Sequence, residues 1–468
     1  MAPSRFPDQP DLFADASAGA PAPSLRGKLY SIAPHAPFLT TLADRILDGT
    51  LLAGWPREGP FWLSDVTIVL PTRRARLALA QVFLDRGHTL LPDIRTFGGE
   101  DEDEEPFLPP YDGPEPPPPV SLTTRRLRLA TLIDAWARTP EGQAVLATPP
   151  NPAEIIGLAD SLGEVIDDLA IEGIPYAALR SLAPAGLDEN WQTILKFLDL
   201  ALAYWPGELM ERGQAERATV RNERLRRRAE AAPLLYGERP VIAAGSTGSI
   251  PATAELLGAV VTLPRGALVL PGLDTTLSPA AHRMLTSDQA NPHGHPQYQL
   301  VRLLQALGSP ASAVEELAPT TDPRTTLVNR AMALAKDTTR WSTQKAHAMA
   351  MEDAGATAGV SIIAARNEDE EARAVALAAR DALDARQTVG IVTPDRNLAR
   401  RIAAELKRFD IVVDDAAGTP LFQSAAGRLL RQLLALADSG CGAVDLIALL
   451  RNRAALFGQQ RHEITRLA

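Results

Sequence analysis

A chain of 468 residues with 46% apolar side chains can build two or three cored domains, which excludes a disordered protein. Its single cysteine, Cys441, excludes an internal disulfide and any zinc or iron-sulfur site made of several thiolates from this chain, and fits a reducing compartment. The net charge of −10 excludes little: residues 100–119 hold eight acids and no bases, so the remainder carries only −2 and can still present a local basic groove.

The first 26 residues are rich in Pro, Ala and Asp and read as a disordered tail with neither a basic nor an apolar leader segment. No apolar run approaches the ~20 residues that cross a bilayer, so the expectation is a soluble, cytoplasmic protein. Two strand-turn-helix units follow within 27–99. Lys28 to Ile32 leads into a helix from Phe38 to Leu47, and Asp65 to Leu70 leads into one from Arg73 to Leu84. That alternation predicts a parallel sheet covered by helices. The run from Glu100 to Glu105 and the prolines up to Pro119 form an acidic, proline-rich segment expected to be a mobile loop.

Residues 120–235 are periodic at helical spacing, with Leu158, Leu162, Val165, Ile166 and Leu169 on one stripe, and predict a helical insertion. The first sheet domain resumes over 236–320 with strands Pro240 to Ala244 and Ala267 to Leu270 around a helix from Ala252 to Val261. A helical connection is expected over 321–358. A second α/β domain, extending to residue 468, is expected from strands Val360 to Ile363, Val389 to Val392 and Ile411 to Val413, with helices Asp369 to Ala385 and Leu398 to Arg408 between them. The fold class is therefore α/β: a RecA-like parallel sheet with a helical insertion, followed by the start of a second such domain, in the layout of a superfamily 1 helicase.

The layout allows the ATP site to be checked position by position. The first β-to-α turn reads Ser31-Ile32-Ala33-Pro34-His35-Ala36-Pro37-Phe38; two prolines remove two donors, and there is neither a glycine for the wrap nor a lysine for the phosphates. The strand Val241 to Ala244, which should end in paired acids, runs into Gly245-Ser246-Thr247-Gly248-Ser249 instead. This loop reads either as a structural turn and helix cap or as an anion-contacting loop. Asp274, after the next strand, reads as a turn residue.

Several stretches resemble the AddB family, the B subunit of the AddAB double-strand-break repair helicase-nuclease, in its form without a Walker A motif. They are Tyr30 to Leu39, Leu70-Pro71-Thr72-Arg73-Arg74-Ala75, Ala243 to Thr253, Leu270 to Asp274, His295-Pro296-Gln297-Tyr298, Val392 to Arg396 and Val413 to Gly418. The resemblance spans Lys28 to about Leu450 and implies the family's N-terminal part. It implies a heterodimer with an AddA-like motor subunit, acting on DNA ends and single-stranded DNA. The family's iron-sulfur cluster and magnesium belong to a C-terminal nuclease domain; no cofactor is expected in this chain.

No catalytic residue is expected. Candidate DNA contacts are Thr72, Arg73 and Arg74 in one turn and Thr393, Asp395 and Arg396 in another, where a hydroxyl and a guanidinium suit a phosphate; a solvated helix start is the alternative for each. Arg217, Arg221, Arg224, Arg226, Arg227 and Arg228 read as an exposed helix face or a backbone track. His293 and His295 read as a loop pair that zinc would use only with a third ligand. Two other classes stay open: a Rossmann-type nucleotide-binding enzyme relying on the Gly245 loop, and a protein-interaction scaffold without DNA contact.

Overall fold

The computed structural model describes residues 25, 28–97, 115–146, 150–176, 178, 189–287, 292–318, 322–335, 338, 349, 355–418, 420–455 and 457–467. The expected tail and most of the acidic segment lie outside these residues. The chain divides into two compact units, Met1–Ala358 and Gly359–Ala468.

In the first unit, β1 (Leu29–Ile32), β2 (Thr67–Leu70), β3 (Asp93–Thr96), β4 (Val241–Ala244), β5 (Gly266–Pro271) and β6 (Glu315–Glu316) form one sheet in the order β3-β2-β4-β5-β1-β6. Every pairing is parallel. Parallel strands are covered on both faces, so their apolar residues need not alternate with polar ones. The side chains still divide by parity. Tyr30, Ile32, Ile68, Leu70, Ile242 and Val269 pack under α1 (Phe38–Leu47) and α2 (Arg73–Asp85). Leu29, Val69, Val241, Ala243 and Leu268 pack on the other face under α7 (Arg217–Tyr236), α8 (Pro251–Thr262) and α10 (Tyr298–Ala306). The result is three layers with the sheet in the middle.

The insertion holds α3 (Leu122–Ala137), α4 (Pro140–Val145), α5 (Pro152–Glu172) and α6 (Glu189–Glu211) around its own core of Leu129, Ile133, Leu162, Ile166 and Trp205. Helix α5 starts where sequence chemistry dictates: Asn151 and Glu154 form a reciprocal capping box ahead of Pro152, and Gly173 ends it with φ of 67°. At the root of the insertion, Val120 N–H donates to the Ala215 carbonyl (2.9 Å) and Ala215 N–H to the Pro118 carbonyl (3.2 Å). Buried Arg125 closes this root from inside. It donates to Asp167 (2.8 and 3.0 Å), to the Gly163 carbonyl (2.8 Å) and to buried Glu216 (3.1 Å). Trp205 Nε1 also donates to Glu216.

The expectation for α7 is corrected. It lies in the insertion by sequence but packs Leu225, Ala232 and Tyr236 into the sheet core. Three of its arginines are tied down within the first unit, while Arg217 stays on an exposed face. Arg226 pairs with Glu255 of α8, Arg227 with Glu223, and buried Arg228 donates to the Thr96 carbonyl at the end of β3 (3.1 Å).

After β5, the first unit continues through α9 (Pro279–Leu285) to α11 (Pro323–Ala331). The second unit holds α12 (Glu368–Asp384), α13 (Arg396–Lys407), α14 (Ala425–Asp438), α15 (Ala443–Leu450) and α16 (Arg461–Leu467). Helices α12 and α13 bury Ala372, Ala376, Ala379, Ile402 and Leu406 against one another. The second sheet expected here is not formed among the described residues. The three apolar runs are extended but have no ladder, and Ile362, Val392 and Val412 are 94, 97 and 95% exposed. Apolar character alone does not make a strand; each ladder needs a paired edge and a covering layer.

Candidate functional site

Ligands of parallel α/β sheets sit beyond the carboxyl ends of the strands, at the crevice where successive connections diverge. Here β1 is followed by α1 on one face of the sheet and its neighbour β5 leads on to α10 on the other, which opens one such crevice between the ends of β1 and β5. Protein groups occupy it. Fully buried Ser31 accepts from Leu273 N–H through Oγ (3.1 Å), and Gly272 N–H donates to the Ile32 carbonyl (2.9 Å). Gly272 has φ of 68°, and a Cβ there would stand 3.0 Å from Pro34 Cγ, so the loop after β5 lies directly against the turn after β1. Gln297 clamps the same loop, accepting from Asp274 N–H and donating to the Gly272 carbonyl, both at 3.0 Å.

In the turn after β1 the backbone donors beside the two prolines are engaged within the protein. Ala33 N–H donates to Glu316 Oε1 (2.9 Å), which also accepts from Ala318 N–H (3.0 Å). An internal carboxylate thus sits on a backbone donor at the place where a phosphate loop would present donors to its ligand. Ala36 N–H is spent on the Ala33 carbonyl, and α1 begins after Pro37 without a side-chain cap. Beyond the turn lies an open cleft of ≈ 530 Å³ whose lining includes Pro34, His35, Asp322, Thr325 and Arg324, the last donating to the Ala356 carbonyl (3.2 Å). Its polar groups serve local structure. Asp322 caps α11 through Thr325 N–H, whose hydrogen bonds hold the carboxyl below its ordinary range, and His35 Nδ1 lies 3.3 Å from Thr325 Oγ1.

In the loop after β4, Gly245 N–H donates to the Val269 carbonyl (3.0 Å) and Gly248 N–H to Ser246 Oγ (3.2 Å). Gly248 has φ of 61°, and a Cβ there would come within 2.8 Å of Leu303 Cδ1 on α10. Thr247 is half-buried and Ser249 exposed ahead of Pro251. This is the geometry of a packed turn whose glycine donors are already used. Asp274 also behaves as a turn residue, its Oδ1 accepting from Thr276 N–H (2.9 Å).

The turn after β2 remains on the surface. Thr72 caps α2 by accepting from Ala75 N–H (3.1 Å), which leaves its own hydroxyl hydrogen to donate; Thr72, Arg73 and Arg74 are all exposed. The corresponding turn of the second unit is different. Thr393 Oγ1 accepts from Asp395 N–H (3.1 Å), and Asp395 caps α13 through Asn397 and Leu398 N–H. Arg396 forms a two-pronged surface pair with Asp415 (3.1 and 2.9 Å) and donates to the Gly418 carbonyl (3.0 Å), partners that a phosphate there would have to displace. The Asp415 hydrogen bond raises its already high pKa further. The structure thus commits Arg396 to bracing the 414–418 loop.

The histidine pair is also spoken for. His295 Nδ1 accepts from Gln297 N–H (3.1 Å), which puts the proton on Nε2, where it donates to the Met332 carbonyl (2.8 Å). His293 packs edge-on to Tyr298 with ring centroids 4.8 Å apart. Among the described residues no group of three or more His, Cys, Asp or Glu could hold a metal ion.

The residues that fill the crevice, Ser31, Gln297 and Glu316, were not singled out as site residues from sequence. Gln297 stood in a recognised stretch, but its partners come from a different loop, and Glu316 meets Ala33 across 283 residues.

These observations define an α/β protein with a six-stranded, all-parallel sheet, consistent with a RecA-like fold. Among the described residues no helix is long and apolar enough to cross a membrane. No protein-family model matches the sequence, and no curated protein matches it.

Proposed function

We propose that this chain is a non-motor, helicase-shaped subunit of a DNA double-strand-break repair complex of the AddAB type, handling DNA beside an ATP-driven AddA-like partner. The observation that carries the non-motor part is the Glu316 carboxylate held on Ala33 N–H, which seals the nucleotide position with like charge. The DNA part is supported by the resemblance of the quoted stretches to AddB and by the exposed Thr72-Arg73-Arg74 turn at the carboxyl edge of the sheet.

A Rossmann-type nucleotide enzyme is a poorer fit. That fold keeps its first two strands adjacent, in the order 3-2-1-4-5-6, whereas β4 and β5 separate β1 from β2 here. The iron-sulfur cluster and magnesium of the family are expected in its nuclease domain and take no part in this reading of the chain.

The test is to purify the full chain with an AddA-like motor subunit and follow ATP-dependent resection of blunt duplex ends. Stable association, resection that depends on this chain, and no ATP binding by the chain alone are the expected results. Absence of both association and any effect on resection would overturn the proposal. Association and stimulation without any DNA contact would favour the protein-interaction scaffold.

A further inference from the structure

The second unit changes character after residue 418. Up to that point its arginines are largely neutralised: Arg366 pairs with Glu370, Arg380 with Asp384, Arg396 with Asp415, Arg401 with Glu368 and Asp369, and Arg408 with Glu405. Over 420–467 the balance reverses. Six arginines face three acids, and none of Arg428, Arg431, Arg451, Arg453 or Arg466 has a carboxylate within ion-pair distance among the described residues, although all are exposed.

A polar joint gathers these charges. Gln432 of α14 donates to the Ala448 carbonyl of α15 (3.1 Å) and accepts from Asn452 Nδ2 (2.7 Å). Arg431 adjoins Gln432 in the chain, and Arg451 and Arg453 flank Asn452, so the joint brings the backbones that carry these three arginines near one another. Arg461 braces it from below by donating to the Arg451 and Asn452 carbonyls, both at 2.8 Å. Of the acids, Glu463 is engaged in capping at Gln460 N–H (2.8 Å), Asp438 lies nearly two helical turns beyond Gln432, and Asp445 precedes Ala448 by about one turn of α15.

An independent feature lies in the same loop. Phe457, between Arg453 and Arg461, is 59% exposed and has φ of 45°. A bulky aromatic side chain in the left-handed region is strained, and such strain recurs at ligand-binding positions. An exposed ring in the same stretch of chain as exposed arginines without ion-pair partners matches a ligand that carries flat bases on a phosphate chain.

We propose that the α14–α16 segment is a contact surface for single-stranded nucleic acid, with Arg431, Arg451 and Arg453 holding backbone phosphates and Phe457 stacking on a base. The choice of partner rests on the DNA-handling reading above, but the residues differ from those behind that reading. Unpaired arginines favour phosphate because their fork meets two oxygens at once. The ring adds affinity without sequence preference, since every base has a flat face.

The experiment measures binding of a labelled oligo-deoxythymidine to the full chain by fluorescence anisotropy across a salt series, with a melting curve for each variant. Arg451→Ala with Arg453→Ala should weaken binding and lower the salt slope by about 0.7 per lost phosphate contact. Phe457→Ala should weaken binding roughly tenfold at unchanged slope, and Phe457→Tyr should bind as the parent chain does. Parent-like binding by the arginine and Phe457→Ala variants would overturn the surface, as would no binding by the parent chain. Equal binding to phosphatidylserine vesicles or polyglutamate, insensitive to Phe457→Ala, would overturn the nucleic-acid assignment. In either case, retained association with the motor subunit would leave the proposed function standing, whereas loss of that association with the surface intact would remove the function and keep the surface.

Discussion

The two units contain similar sequence signals with opposite outcomes. Ile68, Val69 and Leu70 of β2 and Val389, Ile391 and Val392 of the second unit belong to equally apolar runs of strand length. The first run pairs with β3 and β4 and lies under helices on both faces; the second has no ladder, and Val392 is almost wholly in water. The difference teaches that β-character is settled by what stands on either side of a segment rather than by the segment itself. In the first unit each strand meets another strand edge and two helical layers, whereas the second unit's buried contacts are mostly between α12 and α13.

The strongest way to sharpen this comparison is to remove a large buried side chain from the first unit. Trp205→Ala should destabilise it by about 3–5 kcal/mol in chemical denaturation, since it empties the insertion core and takes a donor from Glu216. A loss under about 1 kcal/mol would mean that the insertion core is loosely packed. Arg125→Met should cost a comparable ~3–5 kcal/mol by leaving Glu216 buried without its cation, and adding Glu216→Gln should recover much of that loss. Failure of the second substitution to rescue the first would assign the cost to packing instead.

Glu216 also gives a pH signature. Burial raises its folded-state pKa above the unfolded value, so its contribution to stability is lost as pH rises through the folded pKa and present below the unfolded one. The melting temperature of the parent chain should therefore gain, relative to Glu216→Gln, as pH falls through the window just above the ordinary carboxylate range. Parallel melting curves for the two chains across that window would refute the assignment.

Smaller effects test the filled crevice and the open second unit. Glu316→Ala should cost about 1–2 kcal/mol by stranding Ala33 N–H, and it should not create ATP binding, because Pro34 and Pro37 still supply no donors. Ile362→Ser should change the stability of the isolated chain by no more than about 0.5 kcal/mol, since its side chain is already in water. A large loss there would break the comparison and show a covered strand.

Much of the first unit was legible in the sequence. The apolar runs of β1, β2, β4 and β5, and the helices that follow the first three, were expected within two residues of where they lie; the helix after β5 was not. The edge strands were not: Asp93-Ile94-Arg95-Thr96 has Ile94 as its one apolar residue and Glu315-Glu316 has none, because an outer strand needs less burial than a central one. At the candidate site the missing donors of Ala33 to Pro37 were readable from residue types alone. The groups that fill the crevice were not, because Glu316 and Gln297 act through contacts that only the closed sheet creates. The pairing of Arg396 with Asp415 was hidden for the same reason, since Asp415 reaches it across a loop.

The root of the insertion has an evolutionary consequence. Val120 and Ala215 stand side by side and are bonded across, so the chain leaves the sheet unit and returns to it through one doorway. Descendants of such a gene can lengthen, trim or exchange the α3–α6 module, provided the doorway is kept, without displacing any of the six strands. New surface can be acquired in this way as long as the bonds that tie the module to its base, Arg125 to Glu216 and Asn222 to the Ala170 carbonyl, are kept.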